Sequence, residues 1–79
     1  MAEIEVREEG DGVWHVTVPG VDIKRDLPQE LSERSYEFGL VVVGIDGAVL
    51  HVSPRDDLEV PITAALKDLT TYLAKVAPA

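Results

Sequence analysis

The feature that most constrains this chain is Asp46-Gly47, set between two apolar runs. Leu40-Val41-Val42-Val43-Gly44-Ile45 precedes it and Ala48-Val49-Leu50-His51-Val52 follows. Asp-Gly suits a two-residue type I′ turn, because both central residues of that turn need positive φ. The pattern predicts a β-hairpin over 36–45 and 48–53. A turn at 46–47 pairs Ile45 with Ala48, Val43 with Leu50 and Val41 with Val52 on one face. On the other face Gly44 meets Val49, Val42 meets His51 and Leu40 meets Ser53, with Phe38 and Tyr36 continuing that side. A slip by one residue would exchange the two faces. The first face is entirely apolar and is assigned to the core. The second still offers Phe38, Leu40, Val42 and Val49, with His51 beside them. A small sheet covered by a helix on one side needs only one apolar face, so this surplus points to a protein partner.

Two further strands are expected over 3–9 and 13–18. Ile4 and Val6, then Trp14, Val16 and Val18, alternate with polar residues, the period-two pattern of a half-buried strand. A three-residue loop, Gly10-Asp11-Gly12, pairs Val6 with Val16 and Ile4 with Val18, with Gly12 in a left-handed bulge position. Glu5, Arg7, His15 and Thr17 then share the solvent face. Pro19-Gly20 ends the second strand. Asp26 is expected to cap a short helix over 27–34, with Gln29 three residues on and Pro28 in the first turn. Leu27 and Leu31 would anchor it. Pro61 suits the first position of a last helix. Ile62, Leu66, Leu69, Leu73 and Val76 recur at helical spacing and form one apolar stripe. That stripe, with Trp14, Val16, Val41, Val43, Ile45, Leu50 and Val52, is the expected core.

These elements give an α+β fold in two layers: an antiparallel sheet of two hairpins (ββ-short α-ββα), covered on one face by the C-terminal helix. The neighbour relations between the hairpins stay open. A chain of 79 residues allows one small domain, 1–79, that buries only about 60% of its unfolded surface and is marginal alone. Cysteine is absent, so disulfides and thiolate metal sites are excluded and self-association is the remaining common remedy. No segment approaches the roughly 20 apolar residues that span a bilayer. The opening Met1-Ala2-Glu3-Ile4-Glu5 is acidic where a signal peptide is basic, so a cytoplasmic location is expected.

The formal charge is −8, from 15 acids against 7 bases. Nucleic-acid binding needs clustered Lys and Arg, and the chain has none, so direct contact with nucleic acid is not expected. Glu3, Glu5, Glu8, Glu9 and Asp11 crowd the first hairpin; Asp56, Asp57 and Glu59 follow the second. Together they form a candidate acidic rim. His15 and His51 are the only histidines. Both fall on the outer face if the hairpins join one sheet, near acids such as Glu5, but no His-x-x-x-His spacing marks a metal site and none is assigned. Ser53 stands two residues from His51, about 7 Å away along a strand and too far for proton transfer. No catalytic residue, cofactor or enzyme activity is assigned. Gly44-Ile45-Asp46-Gly47 has the spacing of the KH-domain glycine loop, but it joins strands rather than helices and carries an acid where phosphate would lie. Gly10 and Gly12 lack the helix a dinucleotide site needs.

Residues 5–20, from Glu5 through Gly12 to Val13-Trp14-His15-Val16-Thr17-Val18-Pro19-Gly20, resemble the opening hairpin of HicB-type antitoxins. The resemblance implies a toxin partner and covers about a fifth of the chain. That family continues with a third strand and an Ala/Glu-rich helix, where this chain has Asp26-Leu27-Pro28 and a second hairpin.

Three functional expectations follow. The first is a non-catalytic interaction or regulatory module that docks, most simply as a homodimer, through Phe38, Leu40, Val42, Val49 and His51. The second is a small acidic inhibitor, antitoxin-like and of the kind phages encode, whose rim blocks a basic, nucleic-acid-binding site on another protein. The third is a ligand binder or enzyme with its pocket at a subunit interface.

Overall fold

A computed structural model describes residues 3–78. Met1 and Ala2, the start of the acidic opening, lie outside the described residues. The order is β1 (Glu5–Gly10), β2 (Val13–Thr17), α1 (Ile23–Asp26), α2 (Leu31–Phe38), β3 (Leu40–Asp46), β4 (Val49–Pro54) and α3 (Ile62–Val76). The strands form one antiparallel sheet in the order β1-β2-β4-β3, so the hairpins join through β2 and β4. The expected two-layer α+β architecture is the one observed. One sheet face packs against the helices. Val16, Leu50, Val52 and Leu40 there meet Ile23 of α1, Leu31 of α2, and Ala65, Leu66, Leu69 and Leu73 of α3.

The first hairpin keeps its expected register by a different device. Val6 faces Val16, as read from the alternation. The loop, however, is the two-residue Asp11-Gly12, with φ of +53° and +76°. Those are the paired positive values a type I′ turn demands. The extra residue is Glu9, a bulge between Glu8, which faces Trp14, and Gly10, which faces Val13.

The second hairpin departs further. Its loop is Gly47-Ala48, with Gly47 at φ +60°, and Asp46 pairs with Val49. Moving the turn by one residue moves the pairing by two, which keeps each side chain on its expected face. Ile45 thus lies opposite Leu50 on the core side. A bulge at Val43, between Val42 and Gly44, then moves the pairing back by one. A shift of one exchanges faces, so Val42 meets Val52 and Leu40 meets Pro54 on the core side. Leu40 has no exposed surface, whereas Val41 is 37% and Val43 56% exposed. The assignment of Val41 and Val43 to the core is therefore corrected. Val42 packs against the core from its edge.

The helices between the hairpins also fall elsewhere. Pro28 disfavours helical backbone at the residue before it, and Leu27 is extended at φ −109°, ψ 156°. The helix expected over 27–34 is accordingly displaced: residues 27–30 are not helical, and a separate short helix precedes them. α1 closes before Leu27, and α2 starts at Leu31. Asp26 does not cap α2. Its carboxylate accepts the Asp22 N–H at 3.0 Å, at the start of α1. Leu27 and Leu31 are both buried, as expected. α2 runs through Tyr36 and Phe38, which the sequence placed in a strand, and Gly39 stops it with φ +108°. At that position only Gly is free of backbone strain. Pro61 precedes the first turn of α3 rather than occupying it, and the stripe of α3 lies inward with Leu69 and Leu73 wholly buried.

Arg55 ties the end of β4 to the end of α2. Its backbone N–H donates to the Gly39 carbonyl at 3.0 Å and its guanidinium donates to the Tyr36 carbonyl at 3.0 Å. The same guanidinium lies 3.6 Å from the centre of the Tyr36 ring and binds Asp57 through two hydrogen bonds. Arg55 beside it holds the Asp57 carboxyl below the ordinary value of 3.8.

Candidate functional site on the uncovered sheet face

Cross-strand partners share a face, so the register defines what the helices leave bare. One row across the sheet is Glu5, Thr17, Val49 and Asp46; the next is Arg7, His15, His51 and Gly44. Beyond them Val41 lies opposite Ser53, and the bulge residue Val43 projects beside Gly44 into solvent. None of these residues belongs to the core cluster. This second face is aliphatic and imidazole-bearing at its centre. Its charges sit toward the flanks, on β1 and at the turns.

The two histidines occupy the middle of the face, on the two central strands. They are direct cross-strand neighbours, with ring centroids 4.2 Å apart and planes at 77°. Glu9 reaches them from the edge. An extra residue in a strand re-aims its side chain, and the Glu9 carboxylate lies against His15 Nε2. That nitrogen is sealed from solvent and makes no well-directed hydrogen bond. One ligating atom from each of Glu9, His15 and His51 lies within 4.8 Å of the others. The acid that completes the group is Glu9 on the bulge, not Glu5. Gly44, opposite His51, brings no side chain over the ring. A Cβ there would stand 3.8 Å from His51 Cδ2.

The residues expected to form the docking patch are divided by the register. Val49 and His51 are on the uncovered face, half-buried by their strand neighbours. Leu40 is inside the core, and Val42 turns toward it. Phe38 is on α2, with its ring 6.0 Å from that of Tyr72 on α3. The apolar residues that replace them on the face are Val41 and Val43. Sequence reasoning missed the His15–His51 contact because it joins two hairpins whose adjacency no local pattern encodes. The shared parity of the two residues on the outer face was the available signal.

Glu3, Glu5, Glu8, Glu9 and Asp11 are all exposed, as are Asp56, Asp57 and Glu59. Trp14 faces Val52 and Thr17 faces Val49. The Asp11-Gly12 tip therefore lies at the same end of the sheet as the segment after β4. Glu8, Glu9, Asp11, Asp56, Asp57 and Glu59 gather at this end, with Asp57 tied to Arg55. The concave features are shallow. Among those that the described residues form, one is lined by Ile23, Leu27, Leu31 and Ile45 and another by Tyr36, Val41 and Val42.

Comparison with protein-family models, with curated proteins and with solved structures finds no match to the chain. Among the described residues no helix is long and apolar enough to cross a membrane.

Proposed function

We propose that this protein is a non-catalytic interaction module that works as a homodimer, two sheets stacked through their uncovered faces. The observation that carries this reading is the placement of every helix on one side of the sheet. Among the described residues Val41, Val43 and Val49 lie around two histidines on the side away from the helical core. Sheets pair face to face when apolar side chains line both inner surfaces. The edges favour a face over an edge as the contact. β1 is exposed along its whole length and carries four charged residues, and both edge strands are bulged. Charge and bulges are the usual means of blunting a free edge.

Light scattering during size exclusion, over a range of concentrations, tests the reading. The expected mass is twice the 8.6 kDa of one chain. Val43→Lys and Val49→Lys should each shift it to the monomer while leaving far-ultraviolet circular dichroism unchanged. A monomeric wild type at every concentration, or lysine variants that remain dimeric, would overturn the proposal.

A second reading rests on the acids gathered at one end of the sheet, which suit a basic site on another protein, including one that normally holds nucleic acid. Binding through that end weakens steeply with added salt, whereas pairing through the aliphatic face does not.

A further inference from the structure

We infer that Glu9, His15 and His51 form a binding site for a single borderline divalent transition metal, Zn²⁺ foremost. All three ligands come from one chain, on the face that the proposed dimer would bury.

The donor set carries the first part of the argument. Two imidazoles and one carboxylate are the ligands of three-residue zinc sites that keep a fourth position open. The set is short of oxygen for Ca²⁺ or Mg²⁺, which take six or more oxygen ligands or retain much of their water. Imidazole nitrogen prefers Zn²⁺, Ni²⁺ and Cu²⁺.

The backbone carries the second part. Directly opposed residues on antiparallel strands hold their Cβ atoms about 4.5–5.5 Å apart, close enough for two imidazoles to reach one ion. His15 and His51 occupy such a pair on β2 and β4, the strands with neighbours on both sides. Glu9 comes from a bulge in the edge strand, where an unpaired residue can re-aim its side chain. In a tetrahedral site with bonds of about 2.0–2.2 Å the ligating atoms stand roughly 3.3–3.6 Å apart. The three atoms here are within 4.8 Å of one another, with the Glu9 oxygen and His15 Nε2 in direct contact, so an ion is admitted only if those two draw apart.

The third part is the state of His15 Nε2. It is out of contact with solvent, it faces a carboxylate, and it makes no directed hydrogen bond. A buried imidazole nitrogen with no directed hydrogen bond is a polar group that a metal ion would satisfy once Glu9 draws back to share it. Arg7 stands opposite His15 on β1 and opposes a dication electrostatically, so the site depends on coordination geometry rather than on a negative field. Gly44 leaves the His51 ring uncovered on its other side.

The test uses the untagged full chain, stripped with a chelator and dialysed, then titrated with Zn²⁺ against a chromophoric competitor. One Zn²⁺ per chain is expected, with no response to Mg²⁺ or Ca²⁺ at the same concentration. His15→Gln and His51→Ala should each lower the affinity at least tenfold, and Glu9→Gln should lower it by a smaller factor. Circular dichroism establishes that each variant is folded. Imidazole resonances of the wild-type chain, followed by NMR through the same titration, give a readout that needs no variant. Those of His15 and His51 should both move until one equivalent is reached. Absence of saturable binding, equal affinity in the histidine variants, or imidazole resonances that do not respond would each overturn the site.

Discussion

The two hairpins are built with the same parts and put them to opposite use. Each has a two-residue loop containing a glycine of positive φ, and each has one bulge in its edge strand. In the first hairpin the bulge sends an acid, Glu9, against a histidine of the next strand. In the second it sends a valine, Val43, out into solvent. The first keeps the apolar alternation it shows in sequence. The second breaks that alternation midway, so that Leu40 and Val42 face the core on one side of the bulge and Ile45 on the other. A bulge is thus a local device with a consequence that depends on which residue stands in it.

The sharpest way to break this comparison is to truncate one residue on each side of the second hairpin. Leu50 has no exposed surface, and Leu50→Ala should cost about 2–5 kcal/mol through lost burial and a residual cavity. Val43 is 56% exposed, and Val43→Ala should fall within about 0.5 kcal/mol. Chemical denaturation of both variants decides it; similar losses would return Val43 to the core. A smaller effect separates the glycines. Gly39→Ala places a Cβ 3.3 Å from that of Val60 at φ +108° and should cost about 2–3 kcal/mol. Gly12→Ala, at φ +76° with nothing within 4 Å, meets only the left-handed backbone penalty of about 1 kcal/mol. Equal losses would mean that the entrance to the second hairpin is no tighter than the tip of the first.

The smallest effect concerns the Arg55–Asp57 pair that closes the second hairpin onto α2. Hydrogen bonding to Arg55 lowers the Asp57 pKa from its ordinary 3.8. A depressed folded pKa means that the pair stabilises the fold above the unfolded value and loses its effect as pH falls through the folded one. Asp57→Asn should therefore lower the melting temperature slightly at neutral pH, because the carboxylate is largely exposed and screened. The gap to wild type should close only below about pH 3.8. A gap that closed between pH 5 and 7 would assign the stabilisation to another group.

Patterns confined to one element were legible in the sequence. The stripe of α3 and the Val6–Val16 register of the first hairpin are local, and each followed from spacing alone. The Leu40–Val52 segment carried two valid signals in conflict, an Asp-Gly turn and an unbroken apolar run. With valines on both faces, alternation could not choose between registers, and a bulge is invisible when the residue it adds is as apolar as its neighbours. Pro28 was read as a first-turn residue, but its effect on Leu27 decided where α1 ends. The Glu9–His15–His51 group needed the β2–β4 adjacency, which depends on packing between hairpins and leaves no trace in either one.

A ladder counts residues in pairs, and a bulge residue is the one it leaves out, much as a leap day keeps a calendar in step with the seasons. Glu9 and Val43 hold that place here. Loss of either would leave every pairing on both sides of it as it stands, whereas loss of a residue farther along the strand would turn over the stretch between it and the bulge. These are the two points in the sheet at which the chain could change length without sending any other side chain to a new address.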